Sequence, residues 1–321
     1  MKGFFLFFIF LFFSNTCDSQ VMDMPLDNSI DTLAKLMSQM NASIHKKSTF
    51  EGGSQIDYEA INDSLQATRK AASETFVFEM QSALERKKSF KNIFPELKIL
   101  SILYPLDSTF RILTWQFQAS NNVYEHFGFL QFKDENKSLI RLLSKVPELD
   151  EDIEYEQFTE KNWLGAYYYS IKEFENEAEN KSYLLFGYDG FDQKNHRKFV
   201  EVLNISGNQI KFGAPVFLYD DKNDKGTATK KRLVLQYSSD VVARLNYDED
   251  EKMIVYDHLN LMSSVGKDKA QTSVPDGTYE AFKYKKGVWH HVTMLKITNM
   301  KTAPRPSPIL DNRKGKKIFE Q

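Results

Sequence analysis

The sequence predicts a mainly β protein, an antiparallel multi-stranded meander preceded by an N-terminal α-helical hairpin. Two observations support this fold class. Two apolar stripes with helical spacing lie before residue 95, and about a dozen short strand-like runs separated by turn residues follow it. A sandwich, a barrel and a propeller-like arrangement are all compatible with such runs. No repeat at a fixed period of about 40–50 residues is present, as most propellers would require.

Composition excludes several classes of protein. The 321 residues include 42 Lys and Arg against 44 Asp and Glu, giving a formal net charge of −2. Such a balance argues against nucleic acid as a partner, because nucleic-acid-binding domains are usually strongly basic. The chain has 1 Cys, which excludes a disulfide framework and a Cys-based metal site.

The N-terminus has the pattern of an export signal. Ten residues without a polar side chain, Phe4 to Phe13, follow a basic start. This run is too short for a membrane-spanning helix, which needs about 20 apolar residues. Cleavage after Ser19 would remove residues 1–19 as a signal peptide and leave a mature chain that starts at Gln20. The alternative is lipidation at Cys17. Either reading predicts an exported protein, periplasmic, outer-membrane-associated or extracellular, with no transmembrane segment in the mature chain.

Residues 20–94 are predicted to form the helical hairpin. The first helix spans 26–46, the second spans 58–88, and a linker containing Gly52-Gly53 separates them. Two stripes share the helical spacing of apolar side chains: Leu26, Ile30, Leu33, Met37 and Met40 in the first helix, and Ile61, Leu65, Ala72, Phe76, Met80 and Leu84 in the second.

Residues 95–300 are predicted to form the antiparallel β domain, and residues 301–321 a tail with three prolines and a basic end. The predicted strands are 98–104, 109–117, 124–132, 163–171, 183–188, 199–205, 210–217, 232–237, 241–247, 253–256, 278–284 and 288–297. In the second of these strands Leu113, Trp115 and Phe117 should share one face. At least one strand is apolar on both faces, which predicts a sheet covered on both sides.

Four residues are candidates for acid–base catalysis: Asp189, Asp192, Asp257 and His258. Each follows or ends an apolar strand, where a side chain can border a cleft. Turn formation is the favoured explanation of Asp189 and Asp192, because Asp and Gly are typical turn residues. Three aromatic residues, Trp163, Tyr168 and Tyr188, are candidates for a sugar- or peptide-binding surface, although aromatic residues in sheets more often form the core.

No metal site and no cofactor are predicted. His290 and His291 are adjacent on a predicted strand, so their side chains point to opposite faces. The loop that starts at Asp221 resembles a calcium-binding loop, but Lys225 and Arg232 stand where carboxylate ligands belong. Neither a glycine-rich dinucleotide motif nor a phosphate-binding Walker loop is present.

Five segments together resemble uncharacterised exported proteins of Bacteroidetes-type bacteria. They are Ser108 to Trp115, Tyr183 to Gly190, Phe212 to Phe217, Met253 to Leu259 and Pro275 to Phe282. The resemblance covers most of residues 95–297, and the Ser19-Gln20 junction is also similar. It implies an envelope location and a single fold, and it implies no activity and no catalytic residue.

Three functional hypotheses follow. The first is a non-enzymatic envelope protein that binds or assembles with an envelope protein or a glycan. The alternative is a secreted hydrolase acting on glycans, whose acid pair would converge in a pocket with carboxyl groups about 5–9.5 Å apart. The third is an assembly factor that docks through the helical hairpin, residues 26–88, which requires an exposed apolar patch of roughly a few hundred Å² on the helices.

Overall fold

The structure, a computed structural model, describes residues 26–41, 58–120, 123–145, 152–175, 181–192, 194–207, 209–219, 228–263 and 271–293. Several predicted features lie outside these residues: the signal peptide, the Gly-containing linker, most of the loop that starts at Asp221 and the C-terminal tail. The described helices and strands confirm the predicted fold class.

Two α-helices come first, α1 (Leu26–Met40) and α2 (Tyr58–Glu85), and a short 3-10 helix (Ser89–Lys91) follows them. The strands are β1 (Ser101–Leu103), β2 (Phe110–Ser120), β3 (Val123–Phe132), β4 (Ile140–Leu143), β5 (Phe158–Thr159), β6 (Tyr167–Glu175), β7 (Lys181–Asp189), β8 (Asn195–Ser206), β9 (Gln209–Phe212), β10 (Phe217–Tyr219), β11 (Ala228–Lys230), β12 (Arg232–Ser238), β13 (Leu245–Asp248), β14 (Met253–Ser263), β15 (Gln271–Lys285) and β16 (Val288–Val292).

The strands form three open sheets. The first sheet has the order β1-β2-β3-β4. The second has the order β5-β9-β8-β7-β6, with β12 also paired to β8, and the third has the order β11-β10-β16-β15-β14-β13. Within the described residues no sheet closes into a barrel, so the molecule is a sandwich. Almost all pairs are antiparallel, and the exception is the parallel pair β10–β16.

Three apolar cores join the helices and sheets into four layers. One core lies between the helices and the first sheet, the next between the first and second sheets, and the third between the second and third sheets. The first and second sheets are therefore covered on both faces. This explains why β3 and β7 are apolar along most of their length instead of alternating.

The helical stripes pack where the sequence predicts. Leu33, Met37 and Met40 of α1 are buried against the first sheet, together with the Ala72, Phe76, Met80 and Leu84 side chains of α2. On the described part of the two helices, the large apolar side chain that stays exposed to solvent is Phe78, at 69% exposure. The side chains of Leu26 and Ile61 lie outside the described residues. The described part of the hairpin offers no apolar patch that would support the hypothesis of a hairpin docking elsewhere.

Strand β2 alternates as predicted. Leu113, Trp115 and Phe117 pack against the helices, whereas Phe110 and Ile112 pack against the second sheet. Successive side chains of a strand point to opposite faces, so a single strand contributes to two cores. The helices end earlier than predicted, at Met40 and Glu85, and three short strands that the sequence did not reveal, β4, β5 and β11, complete the sheet edges.

Strand β8 is the centre of the second sheet. It pairs with β7 along one edge, while β12 and then β9 share the other edge in succession. The third sheet extends as a two-stranded ribbon at one end, because β14 and β15 pair beyond the residues that contact β13 and β16. No helix in the described part of the chain is long and apolar enough to cross a membrane.

Candidate functional site

A cleft of about 790 Å³ opens between the first and second sheets, at the end where β2 begins and β8 ends. We call it the lysine cleft, because three lysines lie on its rim: Lys133, Lys137 and Lys181. Its other lining residues are Thr109, Phe110, Phe132, Asp134, Tyr183, Asn204, Ile205 and Ser206. The cleft exists because the β3–β4 turn and the β8–β9 hairpin project past the core that joins the two sheets.

The three lysines differ in how their charge is balanced. The ammonium of Lys181 lies 2.8 Å from Asp107 and 3.0 Å from Glu173, so two carboxylates neutralise it. Lys133 and Lys137 form no ion pair with any described residue. The Lys137 Nζ lies 4.7 Å from the centroid of the Phe132 ring, which holds this side chain over the cleft.

Polar atoms around the lysine cleft are mostly donors. The Asn204 side-chain oxygen accepts a hydrogen bond of 2.7 Å from the Ser182 hydroxyl, so its amide nitrogen is the group left for a ligand. One carboxylate oxygen of Asp134 accepts hydrogen bonds from the Asn136 backbone and side-chain nitrogens, at 3.0 and 2.9 Å. The other Asp134 oxygen has no hydrogen-bond partner among the described residues, so the cleft offers a carboxylate acceptor beside its ammonium and amide donors.

A second cleft of about 560 Å³ lies between the second and third sheets, and we call it the acid groove. Two of the predicted catalytic residues, Asp257 and His258, line it. Its other lining residues are Asp152, Ile153, Glu154, Arg197, Tyr219, Lys230, Leu233, Val234, Leu235, Gln236, Tyr256, Leu259 and Glu280. Glu154 and Lys230 form an ion pair of 2.5 Å on its rim.

Two carboxyl groups of the acid groove have opposite pKa shifts. Burial raises the pKa of Asp257, whose side chain is held by a hydrogen bond of 2.8 Å from the Arg244 backbone N–H. A hydrogen bond with His291 lowers the pKa of Glu280, which also accepts a hydrogen bond of 2.9 Å from the Tyr256 hydroxyl. Glu280 lies directly across from Tyr256 in the β14–β15 pair, whereas Asp257 lies across from Tyr279, so Asp257 and Glu280 are one position out of register on adjacent strands.

His258 is held by a carboxylate outside the groove lining. Its Nδ1 lies 2.7 Å from Asp276, which also accepts a hydrogen bond from Asn260. Hydrogen bonds from Thr278 and from His258 lower the pKa of Asp276 to about 2. His258 and Asp276 are both partly exposed. His258 lies where the regular register between β14 and β15 is interrupted, between Asp257 and Leu259.

Asp189 and Asp192 lie together in the β7–β8 hairpin, apart from the acid groove. Asp189 accepts a hydrogen bond of 2.8 Å from the Phe191 backbone N–H, and its carboxylate lies 3.2 Å from His126. Burial opposes ionisation of Asp189, but the neighbouring His126 leaves its pKa lowered. Asp192 accepts backbone hydrogen bonds from Lys194 and Asn195, both 2.7 Å long. The backbone contacts are those of turn-forming side chains, whereas the contact of Asp189 with His126 joins the end of β7 to β3 of the first sheet.

The structure does not bring the four predicted catalytic residues into one pocket. Asp257 and His258 share the acid groove, whereas Asp189 and Asp192 belong to the hairpin turn. Asp189, Asp192 and Asp257 each use a carboxylate oxygen to bind a backbone N–H group. The hydrolase hypothesis required all four residues to converge. Of the four, Asp257 and His258 line the acid groove, so a hydrolase would need Glu280 as its second carboxyl group.

Two of the three predicted aromatic ligand-binding residues are in the core. Trp163 and Tyr168 are both 0% exposed, and the Trp163 indole donates a hydrogen bond of 2.8 Å to the Tyr168 hydroxyl. Neither ring offers a face to a ligand, so this prediction is corrected. The third, Tyr188, is half-buried and packs edge-on against His196 with ring centroids 5.5 Å apart.

Sequence reasoning missed Lys133, Lys137 and Glu280. The two lysines lie in a polar turn, Lys133 to Lys137, whose composition predicts a solvent-exposed loop and does not reveal which sheet lies opposite. Glu280 lies in a strand where polar and apolar residues alternate, and its neighbour in the groove, Asp257, is far along the chain. In the described part of the chain no three His, Cys, Asp or Glu side chains converge as metal ligands would.

Comparisons with protein-family models, with curated proteins and with solved structures find no match to this chain.

Proposed function

We propose that this chain is an exported cell-envelope protein that binds a ligand, without catalysis, in the lysine cleft. The observation that carries the proposal is the cleft of about 790 Å³ in which Lys133 and Lys137 have no described carboxylate partner. Its volume lies within the range of roughly 300–1,000 Å³ that small-molecule sites occupy. The signal-like N-terminus and the resemblance to exported envelope proteins support the location.

The state of the carboxylates supports a binding role over a catalytic one. A general base must lie in a cleft that substrate enters, within hydrogen-bond reach of the proton that it removes. Asp189 and Asp192 instead stabilise a turn through backbone N–H groups, and Asp257 joins β14 to the start of β13. The lysine cleft, by contrast, offers donors that nothing in the described fold uses.

Filling the lysine cleft should abolish ligand binding. Ser206 is exposed at the rim, so Ser206→Trp places an indole in the cleft without disturbing a buried side chain. We expect the protein purified from the envelope fraction, with Gln20 as its first residue, to bind one class in a panel of defined saccharides and phospholipids. The Trp variant should bind that class at least tenfold more weakly.

Lys283→Trp is the matched control, because Lys283 is exposed on β15 and lines neither cleft. It should bind like the wild-type protein. Binding that survives Ser206→Trp, or a wild-type protein that binds no member of the panel, would contradict the proposal.

A second candidate function, a hydrolase acting on glycans, is favoured by one observation in the acid groove. Two carboxyl groups on adjacent strands, Asp257 and Glu280, have pKa values shifted in opposite directions. Such a pair can divide the roles of acid and base. Asp257 would protonate the oxygen of the departing sugar, and Glu280 would take a proton from the attacking water.

For this second candidate, Asp257→Asn and Glu280→Gln should each lower the release of reducing ends from polysaccharides by at least about 100-fold. Asp250→Asn, in the exposed β13–β14 turn, is the control and should keep the wild-type rate. Circular dichroism should show that all three variants remain folded. A wild-type protein that releases no reducing ends from any polysaccharide tested would rule the hydrolase out.

A further inference from the structure

We propose that the lysine cleft recognises a polysaccharide that carries anionic oxygen groups, such as sulfate, phosphate or carboxylate. This inference rests on the proposed function, because it names the ligand class of the same cleft. It follows from the charges, from the hydrogen-bonding groups and from the shape of the cleft.

The first observation concerns the charges of the lysine side chains in the cleft. Lys133 and Lys137 lie in the same turn, line the same cleft and have no ion pair with a described residue. Lys181 shows the contrast, because Asp107 and Glu173 already neutralise it. The same turn contains Asp134, which lines the cleft, and Glu135, whose carboxylate accepts a hydrogen bond from the Lys88 backbone N–H, so the turn has no net charge. Because neither lysine is paired with these carboxylates, each ammonium can still donate a charge-assisted hydrogen bond to the oxygens of an anion.

Neutral donors on the opposite wall complement the ammonium groups. The Asn204 amide nitrogen has no partner among the described residues, because the Asn204 oxygen is the atom that receives the Ser182 hydroxyl. Ser206, at the end of β8, adds a hydroxyl without a described partner. A wall that offers an amide nitrogen and a hydroxyl beside two cations suits a ligand rich in oxygen acceptors, as saccharides are.

The shape of the cleft favours a chain over a lone ion. With about 790 Å³ between two sheets, the cleft is far larger than an inorganic ion requires. Its floor is the edge of the core, formed by Phe110, Phe132 and Tyr183, all nearly buried. These rings close the bottom of the cleft but present no open face to a sugar, so the contacts to a ligand come from the polar side chains of the walls and rim.

Dextran sulfate and neutral dextran of the same chain length provide a matched pair of probes, because they differ only in charged substituents. Isothermal titration calorimetry of the full mature chain should show binding of dextran sulfate. Binding of dextran should be at least about tenfold weaker, since it lacks the charge-assisted hydrogen bonds. The affinity for dextran sulfate should fall when NaCl is raised from about 50 to about 200 mM, because salt screens exposed charges.

The double variant Lys133→Gln/Lys137→Gln should bind dextran sulfate at least about tenfold more weakly than the wild-type protein. Lys283→Gln/Lys285→Gln removes the same charge from exposed positions on β15 and should bind normally. An equal loss in both double variants would show attraction by net charge alone and would overturn the inference.

Four other outcomes would also overturn the inference and leave the proposed function distinguishable from it. If dextran and dextran sulfate bind equally and both lose binding in Ser206→Trp, the cleft is a binding site but does not require a charged ligand. If inorganic sulfate binds as tightly as dextran sulfate, the saccharide contributes nothing to recognition. Binding of anionic phospholipid vesicles in place of either dextran would assign the cleft to a lipid headgroup. If no probe binds at all, the inference is likewise overturned, and the panel of saccharides and phospholipids tests the proposed function separately.

Discussion

Replacing Arg232 with Met is expected to lower the free energy of unfolding by about 3–5 kcal/mol. Arg232 and Glu201 are both 0% exposed, and the Arg232 Nε and Nη2 atoms lie 3.0 and 2.8 Å from one Glu201 carboxylate oxygen. Removing the guanidinium leaves a carboxylate buried without its charge partner, and such a group is costly to retain. Chemical denaturation followed by tryptophan fluorescence would measure the change.

Arg232 does more than neutralise Glu201. Its Nη1 donates a hydrogen bond of 2.9 Å to the Glu156 carbonyl and another to the Ile153 carbonyl, and its guanidinium lies 4.6 Å from the Phe158 ring centroid. Arg232 therefore helps to hold the segment before β5 against β12, together with the backbone hydrogen bonds that Lys231 and Arg232 donate to the Glu154 carbonyl. Because Ile153 lines the acid groove, we expect Arg232→Met to loosen the groove rim as well.

A double-mutant cycle separates the ion pair from the packing. Arg232→Met/Glu201→Leu removes both charges, so it should destabilise the protein by less than the sum of the two single variants. Lys172→Met is the control, because Lys172 and Glu249 form a largely exposed ion pair that should contribute no more than about 1 kcal/mol. Additive single changes at Arg232 and Glu201 would show that the pair is not coupled.

The parts of this fold that the sequence predicts are those set by local periodicity. The α2 stripe and the alternation of β2 follow from spacing alone, because the helix face and one face of β2 share one core while the other face of β2 enters another core. Strands β5 and β11 have two and three residues, too few for a period to show, and they exist only because β9 and β10 lie beside them. Their pairing is a consequence of tertiary structure.

The candidate sites were harder to predict for a related reason. Lys133 and Asn204 reach the same cleft only because the first and second sheets pack face to face. No local sequence pattern predicts that packing. The acid groove likewise depends on the β14–β15 pairing that sets Glu280 beside Asp257. Trp163 and Tyr168 show the opposite error, because their residue types suit a ligand-binding surface while the second sheet buries them between two layers.

Arg111 is expected to have a similarly large effect at the other end of the molecule. Replacing it with Met should lower the free energy of unfolding by about 3 kcal/mol, since several buried hydrogen bonds lose their donor together. Arg111 is 0% exposed on β2. Its guanidinium donates to the Gln131 side chain at 2.7 Å, to the Ser89 carbonyl at 2.9 Å and to the Asn92 carbonyl.

These contacts place a positive charge where α2 ends. The Gln131 amide, fixed by Arg111, donates a hydrogen bond of 2.7 Å to the Leu84 carbonyl in the last turn of α2. Carbonyl groups at a helix C-terminus lack intrahelical donors and carry partial negative charge, so a cation there is stabilising. No described carboxylate pairs with Arg111, which makes the helix end and the short 3-10 helix its main partners.

The expected signature of Arg111→Met is therefore local. Amide hydrogen exchange should accelerate in α2 and in the 3-10 helix more than in β7 and β8, because the variant loosens the contact between the helices and the first sheet. Arg141→Met, exposed on β4 of the same sheet, is the control and should leave exchange unchanged. Uniform acceleration across all three sheets would show instead that Arg111 supports the whole sandwich, and that the helical hairpin is inseparable from the β layers.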